Sequence, residues 1–283
     1  MQLAEIFAPV AADLSTVEEE LRTLTLQIES QAAPRLSRAG ILGNIVSHPF
    51  AVPGKRIRPA LVLLTAHCVG MNGDARAVTR LAAAVELLHA ASLVHDDVID
   101  GADTRRHQTS LNKRFGNRVA VLAGDILYTH FFSLITGLEG VSQERRLELL
   151  DLFLDTTKAM CMGEILAQEL EKDNLRLEEY VQISSAKTAA LFSACCASAA
   201  TVLGAHPRTV RAFSDFGLSF GLTFQMVDDL LDQDCPLSAG VDLAAQAERQ
   251  GASARGLVDG LPAGTFRQSL RDLVDFVTAQ AHC

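Results

Sequence analysis

An all-α fold follows from three features of the chain. Hydrophobic residues make up 48% of its 283 positions, yet aromatics contribute only 5%. The apolar content therefore rests on Ala, Leu and Val, which suits helices packed on helices better than a β-sandwich. Apolar positions recur at helical spacing almost throughout, with no convincing alternating strand. The prolines, eight in all, lie mostly between apolar runs, where they end helices rather than interrupt them.

Gly and Pro clusters place breaks at Pro34, His48–Gly54, Gly70–Asp74, Gly101–Thr104, Phe115–Asn117, Gly137–Val141, Asp173–Arg176, Gly204–Pro207, Gln233–Gly240 and Gly260–Gly264. They divide the chain into about ten to twelve helices. No break has the length or composition of an interdomain linker, so the expectation is one domain over residues 1–283.

The charge balance narrows the function classes. A net charge of −9 and a pI near 5.4 argue against a nonspecific nucleic-acid binder, which needs a basic face to displace phosphate counterions. Six cysteines without a C-x-x-C pair read as reduced packing thiols of a cytosolic protein. The start, Met1–Glu5, lacks the charge and apolar run of a signal peptide. The greasiest windows, 81–94 and 119–138, carry Glu86, His89, Asp125 and His130, short of the roughly 20 uninterrupted apolar residues of a membrane span. A soluble, cytoplasmic protein is expected.

Two aspartate triplets of identical spacing stand in these apolar segments: Asp96, Asp97 and Asp100, then Asp228, Asp229 and Asp232. Acids inside apolar helices are costly unless something cationic compensates them. On a helix, i and i+4 share a face and i+1 lies to the side. Each triplet can thus aim two or three carboxylates at one point, and oxygen-only ligands suit magnesium that shares its remaining positions with water and phosphate oxygens. Counting back from Asp96 places His89 and Glu86 near the same stripe, while Leu87, Leu88, Val94, Val98 and Ile99 face other helices. A single triplet reads first as a solvated polar stripe; two triplets, both late in long apolar helices, favour metal.

Cations accompany the first triplet. Lys55, Arg56 and Arg58 lie within four residues ahead of an apolar helix, and Arg105, Arg106 and His107 follow the triplet after one short turn. Lys offers a compact charge and Arg a bidentate fork, the two usual ways to hold phosphate oxygens. Taken together the pattern predicts a site that holds a diphosphate through metal ions.

The stretches PGKRIRP, ELLHAASLVHDDVIDGADTRR, FGNRVAVLAGD, SSAKTAALF and GLSFGLTFQMVDDLLD, in this order, resemble the trans-prenyl diphosphate synthase (polyprenyl synthetase) family, long-chain type. The resemblance runs from about residue 40 to 234, and more loosely through the closing helices. It implies an isoprenoid-synthase helical bundle with a central cavity, usually a homodimer. By this likeness Asp96, Asp97 and Asp100 form the first magnesium site, and Asp228, Asp229 and Asp232 the second, with up to about three ions in all. It also implies that Lys55, Arg58, His89 and Arg106 hold isopentenyl diphosphate, and that Arg105, Lys187, Thr188 and Gln225 face the allylic diphosphate. The catalytic set so implied is Asp96, Asp97, Asp100, Lys187 and Asp228. Leu88, Ala91 and Ser92 occupy the chain-length positions, and the absence of bulky aromatics there implies a deep tunnel and a long product.

The chain departs from that pattern at three places. Pro53 stands where a glycine is usual, and His107 where a glycine follows the arginine pair. After Asp232 the family's lysine- and glycine-rich loop is shortened or missing, and no lysine occurs from Thr188 to Cys283. That third departure supports an alternative reading: a catalytically weakened diphosphate-binding homologue, or one subunit of a hetero-oligomeric prenyltransferase. A terpene cyclase would carry an asparagine/serine/glutamate metal motif on the second helix and would not need the Lys55, Arg58 and His89 set.

Overall fold

The computed structural model describes residues 2–32, 39–71, 75–170, 175–233, 237–238 and 240–282. It is all-α, as expected. Its helices are α1 (Leu3–Ile6), α2 (Ala11–Ala32), α3 (Ala39–Ser47), α4 (Ile57–Val69), α5 (Ala75–Ile99), α6 (Leu111–Phe115), α7 (Asn117–Thr136), α8 (Gln143–Glu169), α9 (Leu177–Ser184), α10 (Ala190–Val202), α11 (Pro207–Asp232), α12 (Leu243–Asp259) and α13 (Thr265–Thr278). These exceed the expected number because α1 and α6 are single short turns that periodicity does not register. One two-stranded hairpin, β1 (Thr104–Arg105) with β2 (Gln108–Thr109), interrupts the helices. The expected break at Pro34 lies outside the described residues, as do parts of those near Gly70, Asp173 and Gln233.

Helix ends follow local chemistry. The Ser142 hydroxyl accepts from Arg145 N at 3.3 Å to start α8, and Asp242 accepts from Ala245 N at 3.0 Å to start α12, each satisfying an orphan amide. Pro207 occupies the first turn of α11, where no amide is needed. That helix ends at Gln233 in the left-handed region.

The chain divides into two compact units that interleave in sequence. One comprises Met1–Ala11, Ala60–Val78 and Val141–Cys283; the other comprises Ala12–Pro59 and Thr79–Gly140. In the first unit, Phe192 and Phe220 meet edge to face at 5.4 Å, and both are fully buried with Phe153, Phe213 and Phe216. In the second, Ile45, Val94, Leu111, Ala120 and Ala123 form a buried cluster with Val98, Phe115 and Val119 packed on it.

By length and composition alone, α5 and α7 are apolar enough to cross a membrane; the apolar window of α5 is 78% buried and that of α7 only 39%. Val121 and Leu122 are among the exposed apolar residues of α7.

Candidate active site

In the second unit, the loop that enters α4 and the hairpin that follows α5 bring the cations together. Arg56 sits just before α4 with φ of +52°, a conformation L side chains adopt only at a cost. What holds it is a buried ion network. Its guanidinium pairs with Glu18 on α2 and with Glu86 on α5, the latter at 2.5 Å. Two residues on, Arg58 Nη1 lies 3.0 Å from His89 Nε2. Glu86 and His89, three apart on one helix face, thus meet Arg56 and Arg58 in register. Lys55, between them and Gly54, is exposed.

His89 is neutral here. Burial, and then the charges of Arg58, Arg106, Arg105 and Arg56, hold its pKa well below the usual histidine value. With Arg58 donating to Nε2, the ring proton is placed on Nδ1.

Arg106 and His107 form the hairpin turn, with φ of +51° and +62°. Left-handed geometry at both central positions is that of a type I′ turn, which normally selects Asn-Gly. The Arg106 side chain lies on Gly54, where a Cβ would sit 2.5 Å from its Nη2 and would make the guanidinium shift. Burial lowers the Arg106 pKa, the nearby Glu86 raises it, and Arg56 and Arg105 lower it further, for a net depression.

Asp97 and Arg105 close the hairpin onto α5. Arg105 Nε donates to Asp97 Oδ1 at 2.7 Å and Nη2 lies 2.5 Å from the same oxygen. Asp97 is only 4% exposed, whereas Asp96 is half-buried and Asp100 exposed. Buried Asn112 donates to the backbone oxygens of Asp97 and Ala102, both at 3.0 Å, and so secures the helix end that carries the triplet. His89, Arg105, Arg106, Glu86 and Asp97 line one recess with His48, Phe50, Ala90, Leu93 and Val94.

The first unit carries a polar cluster of its own. Thr188 donates to Gln225 Oε1 at 2.7 Å, Gln225 Nε2 donates to Asp229 Oδ1 at 2.7 Å, and the Tyr180 hydroxyl donates to Asp229 Oδ2 at 2.5 Å. Lys187 Nζ lies 2.6 Å from Glu164 Oε2. Lys187 and Thr188 occupy a π-helical turn, Ser185–Ala189; such turns concentrate at functional positions. Asp228 and Asp229 are half-buried and Asp232 is exposed.

The middle aspartate of each triplet is engaged by protein partners. Arg105 holds Asp97, and Tyr180 with Gln225 holds Asp229, because position i+1 points to the side of the i, i+4 face. Among the described residues, no three His, Cys, Asp or Glu side chains converge as a metal cluster. Each triplet also carries an i, i+4 carboxylate pair, Asp96 with Asp100 and Asp228 with Asp232. Two carboxylates with water and phosphate oxygens are what magnesium takes when it binds together with a phosphorylated substrate, so the donors fit that ion.

Beneath the first triplet, Leu88 and Ala91 are fully buried. Ser92 is half-buried and donates to His89 O at 2.9 Å. The recess of this unit is lined on α5 by the neighbouring Ala90, Leu93 and Val94.

Sequence reasoning did not single out Tyr180, Glu164 or Asn112, and gave Arg56 no role. Tyr180 is one of two tyrosines and 2% exposed; a buried phenol needs a partner, but nothing local indicates Asp229.

Residues 39–236 match the family model described as polyprenyl synthetase. The chain is 39% identical over 246 residues to a Synechocystis prenyl transferase, covering 84% of this chain and 71% of that protein. It is 35% identical to the chloroplastic solanesyl diphosphate synthase 1 of Arabidopsis thaliana, covering 86% of this chain and 59% of the relative. Against the Escherichia coli octaprenyl diphosphate synthase the match is 36%, over 63% of this chain and 53% of the relative. The chain thus spans little more than half the length of the latter two. Among solved structures, a decaprenyl diphosphate synthase from Rhodobacter capsulatus superposes with a TM-score of 0.85 at 25% identity, covering 99% of both chains. A polyprenyl synthase from Caulobacter crescentus, complexed with calcium and isoprenyl diphosphate, superposes with a TM-score of 0.82 at 24% identity, covering 98% of both.

Proposed function

The chain belongs to the polyprenyl synthetase family, and from that premise we propose that it is a magnesium-dependent prenyltransferase condensing isopentenyl diphosphate with an allylic diphosphate into a medium- or long-chain trans-polyprenyl diphosphate. The observation that carries this reading is the recess of the second unit. There Arg105, Arg106 and neutral His89 line the recess together with Asp97, so the cations meet the first aspartate triplet at its middle residue.

In this reading Arg58, His89, Arg106 and exposed Lys55 hold isopentenyl diphosphate. Neutral His89 accepts from Arg58 and so orients that guanidinium; it takes up no proton until an anion offsets the surrounding arginines. Lys187, Thr188, Gln225 and Arg105 serve the allylic diphosphate. Asp96, Asp97 and Asp100, with Asp228, Asp229 and Asp232, would hold the metal, which when bound neutralises charge on the diphosphate. The allylic C–O bond breaks with its electron pair passing to the departing diphosphate. The double bond of isopentenyl diphosphate then attacks the allylic carbon, forming a C–C bond. A proton lost from the adduct passes to the released diphosphate, so no side-chain base is assigned. Fixing the two substrates in register supplies much of the acceleration.

The names of the relatives support a long-chain product, as do small Ala91 and Ser92. The Caulobacter structure supports a divalent ion, and the choice of magnesium rests on the oxygen-only donors. We also propose a homodimer, supported by exposed Val121 and Leu122 on α7, and a cytoplasmic setting, supported by Cys68, Cys161, Cys195 and Cys196, which form no disulfide among the described residues.

The test incubates the full chain with magnesium, labelled isopentenyl diphosphate and farnesyl diphosphate, then measures elongated product and released diphosphate. Elongation by the chain alone supports the reading. No turnover alone, but turnover with a second subunit, would favour the alternative of a partnered component, which the short connection after Asp232 favours.

A further inference from the structure

The π-helical turn that carries Lys187 and Thr188 rests on α8 at two adjacent residues. At Gly163 the backbones meet: a Cβ there would sit 2.6 Å from Lys187 N and 3.0 Å from both Lys187 Cα and Ala186 Cβ. Contacts this short with backbone cannot be relieved by turning a side chain. Any larger residue would push the π-helical turn away.

The next residue, Glu164, is 9% exposed. It takes the Lys187 ammonium at 2.6 Å on Oε2, while Gln168, one turn further, donates to Oε1 at 3.0 Å. An acid so enclosed is stable only if paired and hydrogen-bonded. An ammonium has three donors in a compact head, and Glu164 fixes the direction of that head. The Lys187 side chain keeps 38% of its exposure, leaving it reachable from solution.

We propose that Gly163 and Glu164 are positioning residues: a platform on α8 that sets the π-helical turn and aims the Lys187 ammonium at the diphosphate of the allylic substrate. This rests on the reading that Lys187 binds that diphosphate. Gly163 acts by admitting the backbone, and Glu164 by supplying an acceptor.

The experiment uses the full chain with magnesium, inorganic diphosphate as a calorimetric probe, and steady-state KM values for each substrate. Losing the ion pair that aims the lysine predicts that E164A weakens inorganic diphosphate about tenfold and raises the allylic KM by a similar factor. The isopentenyl diphosphate KM stays within about twofold. E164Q keeps an acceptor and recovers most of the loss. G163A gives the same split between substrates; should it fail to fold, the two Glu164 variants decide. Undiminished diphosphate binding by E164A overturns the proposal, as does a parallel rise in both KM values or an E164Q no better than E164A. A parent chain that binds inorganic diphosphate but makes no elongated product removes the proposed reaction and leaves the platform to be judged by the binding arm. A parent that binds no diphosphate overturns both.

Discussion

Tyr180 and Asp229 are joined by a 2.5 Å hydrogen bond from phenol to carboxylate, across 49 positions of sequence. Gln225 holds the other oxygen of the same carboxylate. Asp229 is thereby fixed as a strut beside Asp228 and Asp232. Tyr180→Phe removes one donor and keeps the ring, so the core loses about 1–2 kcal/mol. A second effect falls on metal use: the magnesium concentration at half-maximal activity rises about fivefold. A magnesium titration of thermal stability with inorganic diphosphate present provides a readout independent of turnover. Superimposable titrations for parent and variant would remove this role.

Arg56 serves as the anchor of the cationic loop. Its guanidinium and the Glu86 carboxylate are 10% and 5% exposed as side chains, so neither charge is well solvated. Glu86→Gln leaves Arg56 with Glu18 alone and costs about 2–3 kcal/mol by chemical denaturation. Because Arg58 follows Arg56 by two residues, the isopentenyl diphosphate KM rises while the allylic KM holds. A loss of stability without that split would make the pair structural only.

His107 occupies a left-handed position of the hairpin turn where this family carries glycine. A β-carbon is disfavoured there, and the strain is of order 1 kcal/mol. His107→Gly is therefore expected to stabilise the protein by up to about 1 kcal/mol, the relief being partly offset by greater freedom of the unfolded chain. Its melting temperature should rise by a few degrees. An unchanged or lower melting temperature contradicts the strain.

Acid lability follows from His89. Its folded pKa is depressed, first by burial and then by Arg58, Arg106, Arg105 and Arg56. Above about pH 6.5 neither folded nor unfolded histidine binds the proton, and this group makes no pH-dependent contribution. As pH falls below that value the unfolded chain takes up a proton that the folded chain refuses. Stability then drops by up to about 1.4 kcal/mol per pH unit until the folded pKa is reached. Denaturation at pH 7.5 and 5.5 measures the drop, and His89→Asn should show a smaller one. Equal drops in parent and variant rule out this source.

Much of the fold was legible because its signals are local. Pro207, Gly116 and Gly260 mark ends that the helices respect, and the i, i+4 spacing of Asp96 with Asp100 needed only helical geometry. What escaped depends on distant partners. Asp97 and Asp229 look like their neighbours until Arg105, Tyr180 and Gln225 are placed beside them. The platform at Glu164 is invisible because its meaning lies in the approach of Lys187. Nor could composition reveal two interleaved units, since the chain passes between them without any linker-like stretch. The hairpin turn was half legible: His107 stood out as a departure, but only the backbone angles gave its cost.

Product length offers the last test, and the structure changes where to apply it. Ala91 is fully buried, so a phenylalanine there would overpack the core at about 1–3 kcal/mol and confound folding with specificity. Ser92 is half-buried, and its hydroxyl bonds only to the backbone of its own helix at His89, so the side chain is not needed by another element. Ser92→Phe should therefore fold and place an aromatic ring one turn before Asp96. Chromatography of the products primed with farnesyl diphosphate is expected to show chains beyond about C25 for the parent and shorter chains for the variant, since a filled groove leaves no room for added isoprene units. A parent that stops at C15 or C20 would reject the long-chain reading. A variant with the parent's product distribution would show instead that the growing chain runs along Ala90, Leu93 and Val94, the face of α5 that already lines the recess.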